Sequence, residues 1–480
     1  MESQKSSNHR WTICGLLFFA TTINYLDRQV LSLTWKDHLV PEFHWTDSDY
    51  GTITALFSIF YAGSMLVAGR FVDWMDTKKG FLWAIGVWSL GACIHAYCGI
   101  ATSGILTGNW LVGFGGAKEA IETVGDAGLV LSTSVTLFIF ARFVLALGEA
   151  GNFPAAIKAT AEYFPKKDRA LATSIFNAGA TVGALAAPVS IPFIAEAYGW
   201  EMAFLIIGAL GFVWMGFWIF VYNKPEAHPK VNKAELAYIQ QDIATHEPIS
   251  ESVVVETPQS KLSFSACFGY KQTWAFAFGK FMTDGVWWFF LFWFPAYLKD
   301  IYKMTSTQSA LPLFVLYMIT LFSIIGGWLP SYFVEKKGMN PYEGRMKAML
   351  IFAFFPLLAL LAQPLGQYSY WLPVIIIGIA GAAHQAWSAN IFSTIGDMFP
   401  KQAIATVTGI GGMAGGIGSF IINKGSGVLF THADKTKMVF MGFHGKEAGY
   451  FIIFSICAVA YLIGWTVMKT LVPKYEPVVV

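Results

Sequence analysis

Apolar residues run through this chain in stretches far longer than a buried soluble helix requires. They fall at about 11–35, 49–69, 80–100, 134–160, 170–194, 201–222, 272–298, 309–333, 347–366, 371–397, 402–423 and 449–471. A helix that crosses the hydrocarbon core needs about 20 mostly apolar residues. The pattern therefore predicts twelve membrane-spanning helices and an all-α fold. Between the sixth and seventh runs the chain turns polar, with KPEAHPKVNKAELAYIQQD. That break predicts a six-helix bundle over 1–222, a linker over 223–270 and a second six-helix bundle over 271–480. Inside the linker, Asn232 followed by Glu235 has the spacing of a capping box and predicts a short surface helix.

Composition agrees with a polytopic membrane protein. Of the 480 residues 55% are hydrophobic and 13% charged, against about 25% charged in soluble domains. A net charge of +2 gives no reason to expect nucleic acid as a partner. Twelve spans put both termini on one side. With that side inside, inner segments hold 20 of the 32 basic residues, which predicts cytoplasmic termini. Cys14, Cys93, Cys98, Cys267 and Cys457 form no CxxC pair and read as small packing residues. The first apolar run is too long for a cleavable signal peptide and is expected to stay as a helix. P-loop, HExxH, GxSxG and clustered Cys/His patterns are absent from the sequence. An enzyme, a cofactor and a metal are therefore not expected. The predicted energy source is an ion gradient or the substrate's own gradient.

The two predicted bundles repeat one another. GRFVDWMDTKKG, from Gly69, and GWLPSYFVEKKG, from Gly327, each follow the second span of their bundle. YFPKKDRALAT, from Tyr163, is echoed by MFPKQAIAT, from Met398. Equal steps back from Phe164 and Phe399 reach Glu149 and His384, two ionisable residues at matched places in spans 4 and 10. Parallel repeats with a substrate between them describe a rocking-bundle transporter. The segment from Ala101, ATSGILTGNWLVGFGGAKEAIETVGDAG, lies between spans 3 and 4 and has no assigned role; it reads as an insertion or as a partly inserted lid.

Ionisable residues inside spans are rare and usually functional, because a charge at mid-membrane costs roughly 2.5–3.5 kcal/mol even on insertion scales. Asp27-Arg28 lies deep in the first span. A guanidinium takes a carboxylate with two parallel hydrogen bonds and stays charged. Tyr25 and Thr21 share the Arg28 face, whereas Asp27 points about 100° aside, toward an adjoining helix. The pair suggests an anion site coupled to a proton site; an internal structural ion pair is the competing reading. In span 4, burial favours the neutral form of a carboxylate, which suits Glu149 to taking and releasing a proton. Arg142, seven residues earlier, reads equally as a gating partner of an acid or as a substrate contact. In span 7, Lys280 and Asp284 stand at i and i+4 and can pair or meet an anion. Span 10 is unusually polar, with His384, Gln385, Trp387, Ser388 and Asn390, as a hydroxyl-rich ligand would need. Trp287 and Trp288 read as packing or interfacial residues. Glycines crowd span 11, GIGGMAGGIGSF, and let helices approach closely. Lys78-Lys79 reads first as an inner-side anchor and second as a latch to Asp73 or a neighbouring helix.

The loop GRFVDWMDTKKG resembles the signature between spans 2 and 3 of the major facilitator superfamily, although Asp76 stands where glycine is usual. NYLDRQVLS, from Asn24, and RFVLALGEAGNFPAAIKATAEYFPKKDRALATSIFNAG, from Arg142, resemble its anion:cation symporter family. KFMTDGVWWFFLFWFP and GAAHQAWSANIFSTIGDMFPK are similar to the bacterial hexuronate transporters. The resemblance implies a monomeric, multi-pass protein of the bacterial cytoplasmic membrane. It would import a hexuronate together with protons. By resemblance Arg28 would hold the carboxylate, Tyr25 and Tyr61 would bound the substrate, Trp387 would face the sugar, and Asp27 and Glu149 would carry protons. Gly69, Asp73, Lys78 and Lys79 would belong to the gating loop. Some sugar-acid members have a glutamine in span 5, where this chain offers Asn177. The remaining expected contacts are Lys280, His384, Gln385 and Asn390 for substrate, and Asp284 for protons. Competing readings are transport of an aldonate, an aromatic acid or a phosphate ester, coupling to sodium, and a non-transporting sensor of the acid.

Overall fold

The computed structural model describes residues 6–241 and 265–478. The first long helix, α1 (His9–Thr34), runs on through a π-helical turn, Trp35–Leu39, into α2 (Val40–Phe43). It is followed by α3 (Asp47–Met75), α4 (Thr77–Thr107), the short α5 (Phe114–Glu122), α6 (Ala127–Glu149), α7 (Asn152–Tyr163), α8 (Lys166–Tyr198) and α9 (Trp200–Val221). A linker helix, α10 (Lys233–Ile239), precedes the second set. That set comprises α11 (Lys271–Tyr302), α12 (Ala310–Thr320), α13 (Ile325–Lys337), α14 (Pro341–Phe354), α15 (Ala362–Gly366), α16 (Trp371–Met398), α17 (Lys401–Thr436) and α18 (Lys446–Leu471). Among the described residues nine helical tracts are long and apolar enough to cross a membrane. Helices α1, α11 and α17 bring the long tracts to twelve. Two of these three carry the ionisable groups singled out above, Asp27-Arg28 on α1 and Lys280 with Asp284 on α11.

Three local expectations change. The segment after Ala101 is largely helical: α4 continues to Thr107, α5 is a separate short helix, and α6 begins at Ala127. Asn232 caps α10, its Oδ1 accepting from the Glu235 N–H at 2.9 Å, but the reciprocal half of the box is not formed. The fully buried Glu235 carboxylate instead accepts from the backbone N–H groups of His9 and Arg10 at 2.9 and 3.0 Å and from Ser7 Oγ at 2.5 Å. A carboxylate at the positive end of a helix is well placed, so the linker is fastened to the start of α1. The part of the linker over 242–264 lies outside the described residues. Finally, Asp76 adopts φ 67°, ψ 155°, a conformation that ordinarily favours glycine. Its Oδ1 accepts from Thr77 N–H at 2.9 Å and caps α4, and its carboxylate pairs with Lys224 at 3.2 Å.

The two sets of helices meet along α3 against α17 and α8 against α12. Gly51 and Gly427 make the α3–α17 approach possible: a Cβ on Gly51 would sit 2.8 Å from the Asn423 carbonyl oxygen. The end of the bundle away from the termini is clamped by charges from both sets. Lys36 pairs with Asp47 at 2.6 Å and Asp300 at 3.0 Å, and Lys446 pairs with the same two carboxylates at 2.6 and 3.5 Å. Tyr450 donates to Asp300 at 2.9 Å. Nearby, Asp37 pairs with Lys299 at 2.5 Å and accepts from the Ser306 N–H and hydroxyl, each at 2.6 Å. Deeper in the same seam Tyr50 donates to the Phe292 carbonyl at 2.8 Å, and the Ser58 and Ser419 hydroxyls lie 3.0 Å apart. This end of the interface is shut.

Candidate functional site

Arg28 is the centre of the constellation. Its helix neighbours on that face, among them Thr21, Asn24, Tyr25 and Ser32, include no carboxylate, so a charged partner must come from another helix. That partner is Glu149, the last residue of α6. Arg28 Nε and Nη2 donate to Glu149 Oε2 at 2.9 and 2.7 Å, and both side chains are buried. Glu149 reaches this depth because Gly148 has no Cβ: one there would collide with the backbone N of Trp88 on α4. Four rings surround the guanidinium carbon, with centroids of Tyr61, Trp288, Tyr25 and Phe57 at 4.8, 5.0, 5.1 and 5.9 Å. A cation over aromatic faces gains roughly 0.5–2 kcal/mol per contact. Trp288 belongs to the second set, so Arg28 stands at the interface between the two. Trp288, expected as a packing residue, is part of this cage.

Asp27 turns away from the interface, as its neighbouring position predicts. It faces the indole of Trp88 on α4 and the Arg142 guanidinium on α6, but neither carboxylate oxygen has a hydrogen-bond partner. Arg142 is likewise fully buried, lies 5.2 Å from the Phe57 ring, and leaves Nε and Nη1 without a partner. Asn24, Ser89, His95, Asn152 and Glu149 add further orphaned polar atoms to the same set of helices. Buried polar groups normally find partners, so this cluster has the character of a site where protons, water or ligand complete the bonding.

Across the interface α11 presents Lys280 and Asp284, paired with each other at 2.7 Å, with Lys280 Nζ 4.2 Å from the Phe392 ring centroid. His384 on α16 stacks against Trp287 at 5.4 Å and 2° between planes. Its Nδ1 lies 2.7 Å from the Tyr461 hydroxyl on α18. Trp387 is fully buried, with its ring edge-on to Tyr461 at 5.5 Å and its indole N–H unpartnered. Tyr461 was not singled out in the sequence. It is one polar side chain in an apolar helix, AVAYLIGW, and nothing in the spacing marks it.

Other expected contacts lie elsewhere. Asn390 donates to the carbonyls of Gly326 and Ala386, both at 2.8 Å, and so braces α16 against α13. Asn177 is exposed and Gln385 half-buried, and no described contact joins either to Arg28 or His384. In the last turn of α3, Asp73 pairs with Lys158 at 3.1 Å and not with Lys78 or Lys79 at the start of α4. The turn at Asp76 carries Lys78 toward Asn223, to which it donates at 3.1 Å. Lys79 is exposed and Gly69 half-buried.

Comparison with known proteins places this arrangement. Over 478 residues the chain is 26% identical to the hexuronate transporter of Escherichia coli (strain K12), covering 97% of this chain and 95% of that protein. It is 24% identical over 458 residues to a probable galactarate/D-glucarate transporter of the same organism, covering 92% and 93%. Among solved structures it is similar in fold to a bacterial homolog of the human lysosomal transporter Spinster in an inward-facing, unoccupied conformation, with a TM-score of 0.68, 17% identity and 98% of each chain covered. The family model for the Major Facilitator Superfamily matches residues 17–118 and 120–422, and this chain, a membrane transporter and not an enzyme, belongs to that superfamily.

Proposed function

We propose that the protein is a proton-coupled symporter that imports a hexuronate, glucuronate or galacturonate, by alternating access. The Arg28–Glu149 pair carries this reading. Removing the partner of a buried charge is costly, by several kcal/mol, unless another charge or a proton replaces it. A sugar-acid carboxylate that takes both guanidinium donors from Glu149 leaves Glu149 to be neutralised by a proton. Substrate and proton are then bound together by one exchange. Tyr25, Tyr61 and Trp288 bound the site, and Lys280, His384 and Trp387 meet the sugar from the second bundle. Asp27 and Asp284 are further proton sites, Asp27 acting on Arg142. Residues 1–222 and 271–480 rock about this site, with 223–270 as a cytoplasmic linker and both termini inside the bacterial inner membrane. The protein acts as a monomer. With the end opposite the termini clamped and Arg28 paired with Glu149, this conformation fits a substrate-free state closed to the outside.

The names of the relatives support a sugar acid. A second reading, an aldarate with two carboxylates, draws on Lys280, a second buried cation that would leave Asp284 for the far carboxylate. A thermal-shift panel of uronates, aldarates, aldonates and neutral sugars on detergent-purified protein tests both. A ligand at 100 times its Kd stabilises the folded state by about 2.7 kcal/mol. Stabilisation by glucuronate or galacturonate, with weaker response to aldarates, supports the first reading. Stabilisation by glucose but by no acid contradicts both.

A further inference from the structure

The end opposite the termini contains a cradle for a carboxylate, and the carboxylate in it comes from the other bundle. Asp37, in the π-helical turn after α1, reaches across to Lys299 on α11 and to Ser306 in the turn before α12. Its Oδ2 accepts from the Ser306 N–H and hydroxyl, each at 2.6 Å, and its Oδ1 lies 2.5 Å from Lys299 Nζ. Three donors thus address one carboxylate, with the charge on one oxygen and two hydrogen bonds on the other. The turn that carries Ser306 is held by bonds of its own. Thr305 N–H donates to Gln308 Oε1 at 3.0 Å, and the Ser309 N–H and hydroxyl donate to the Thr305 carbonyl at 3.0 and 2.9 Å. The Ser306 donors therefore keep their aim without Asp37. Opening of this end must take Asp37 away, because it travels with the first bundle. Lys299 then has no ready replacement: Asp300 beside it already serves Lys446 and Tyr450 of the same bundle. A cavity bordered by Ser32, Lys36, Lys299, Ser306 and Ser309 lies alongside. Ser32 and Lys36 follow Arg28 at i+4 and i+8, so the cavity lies on roughly the same side of α1, about 12 Å farther toward the closed end.

We propose that Lys299 and Ser306 form a docking site for the carboxylate of the incoming acid, and that Asp37 fills this site whenever the end opposite the termini is closed. The proposal rests on the acid-import reading above and adds a second anion site to it, at the outer mouth and distinct from Arg28. The ligand class is a small carboxylate. The cradle reads the acid group and leaves the rest of the molecule to the residues deeper in the interface. Asp37 is then a built-in competitor. An acid in the cradle keeps Asp37 out and the mouth open. Passage of the acid inward to Arg28 vacates the cradle and lets Asp37 return, so closure follows delivery. This differs from the Lys36, Asp47, Asp300 and Lys446 cluster, whose charges can pair again within each bundle.

Uptake of labelled glucuronate by intact cells that express the full-length protein provides the test. Asp37→Ala and the double variant Asp37→Ala with Lys299→Gln both lack the Asp37–Lys299 pair, so this part of the closed end is weakened in each. They differ in whether the cradle keeps its charge. The KM of the double variant is expected at least about fivefold above that of Asp37→Ala, with Vmax within about twofold. Asp37→Ala with Ser306→Ala keeps the lysine and loses one hydrogen-bond donor, and its KM should exceed that of Asp37→Ala about threefold or more. Equal KM values in the three variants would overturn the proposal, since a residue that only latches the closed end has no effect once its partner is gone. A difference confined to Vmax would overturn it too. So would a KM that follows Lys299 and ignores Ser306, which is attraction by charge without a cradle. Absence of sugar-acid uptake by the unsubstituted protein would overturn the function reading and this proposal with it, a result distinct from uptake with equal KM values.

Discussion

Arg28 gives two N–H groups to a single oxygen of Glu149 and leaves the other oxygen, Oε1, buried without a partner. The pair is strong but incompletely satisfied, which suits a partner that must be surrendered in every cycle. If Glu149 competes with substrate for Arg28, Glu149→Gln should remove the competitor. Affinity for glucuronate at pH 8 should rise about threefold to tenfold, equivalent to ~0.7–1.4 kcal/mol, and should lose most of its pH dependence. Calorimetry across pH 5.5–8 checks this. Affinity that still falls with rising pH in the variant would remove Glu149 from the competition.

Arg28→Lys tests the geometry of the anion site. Lysine keeps the charge but lacks the fork that contacts a carboxylate twice. Loss of one charge-assisted hydrogen bond is worth about 1.5–3 kcal/mol, so binding should weaken roughly tenfold to a hundredfold. Near-normal affinity would place the carboxylate elsewhere, with Lys280 the next cation to examine.

The clamp at the end opposite the termini predicts a shift in conformation. Each bundle supplies one lysine and one aspartate, Lys36 and Asp47 from the first and Lys446 and Asp300 from the second. Opening can therefore leave each bundle with an internal pair. Asp47→Asn disturbs this balance by leaving two lysines with one carboxylate. It should raise the rate at which a thiol reagent labels Ser419→Cys, which faces Ser58 in the closed seam, by about tenfold, or ~1.4 kcal/mol of opening. An unchanged labelling rate would show that the clamp does not hold this end shut.

How much of this was legible follows the reach of each signal. Lys280 and Asp284 were readable as a pair because i and i+4 meet on one helix, and the structure pairs them at 2.7 Å. Glu149 and His384 were readable as matched positions because the repeats carry them. Their partners were not: Arg28 meets Glu149 across 121 positions of sequence, and no periodicity says which helices adjoin. Tyr461 was invisible for the same reason. Asn390 misled because a polar residue in a span looks the same whether it faces a ligand or braces a neighbouring helix through its carbonyls. At Asp76 the departure from glycine was visible, but the cap and the Lys224 pair that accompany its positive φ were not.

Glu42, on α2 outside the spans, predicts a pH effect on stability that is separate from transport. Burial pushes its carboxyl up to about 7, against the pull of the Trp200 indole N–H at 2.9 Å and with Glu201 nearby adding to the rise. The folded protein holds this proton more tightly than the unfolded chain does. The resulting stability is fully present below the ordinary carboxylate range and is lost as pH rises through about 7. The Tm should therefore decline between pH 5.5 and 8 in the unsubstituted protein and decline less in Glu42→Gln. Parallel curves for the two proteins would contradict this assignment.

The central claim is that one exchange at Arg28 binds substrate and proton together. It is tested most directly by adding glucuronate outside proteoliposomes that contain the purified protein and a trapped pH indicator. The account predicts that the lumen acidifies as labelled glucuronate enters. It also predicts that Glu149→Gln abolishes the acidification while labelled glucuronate still exchanges across the membrane. Glucuronate entry without acidification, at the same rate whether or not a pH gradient is imposed, would contradict it.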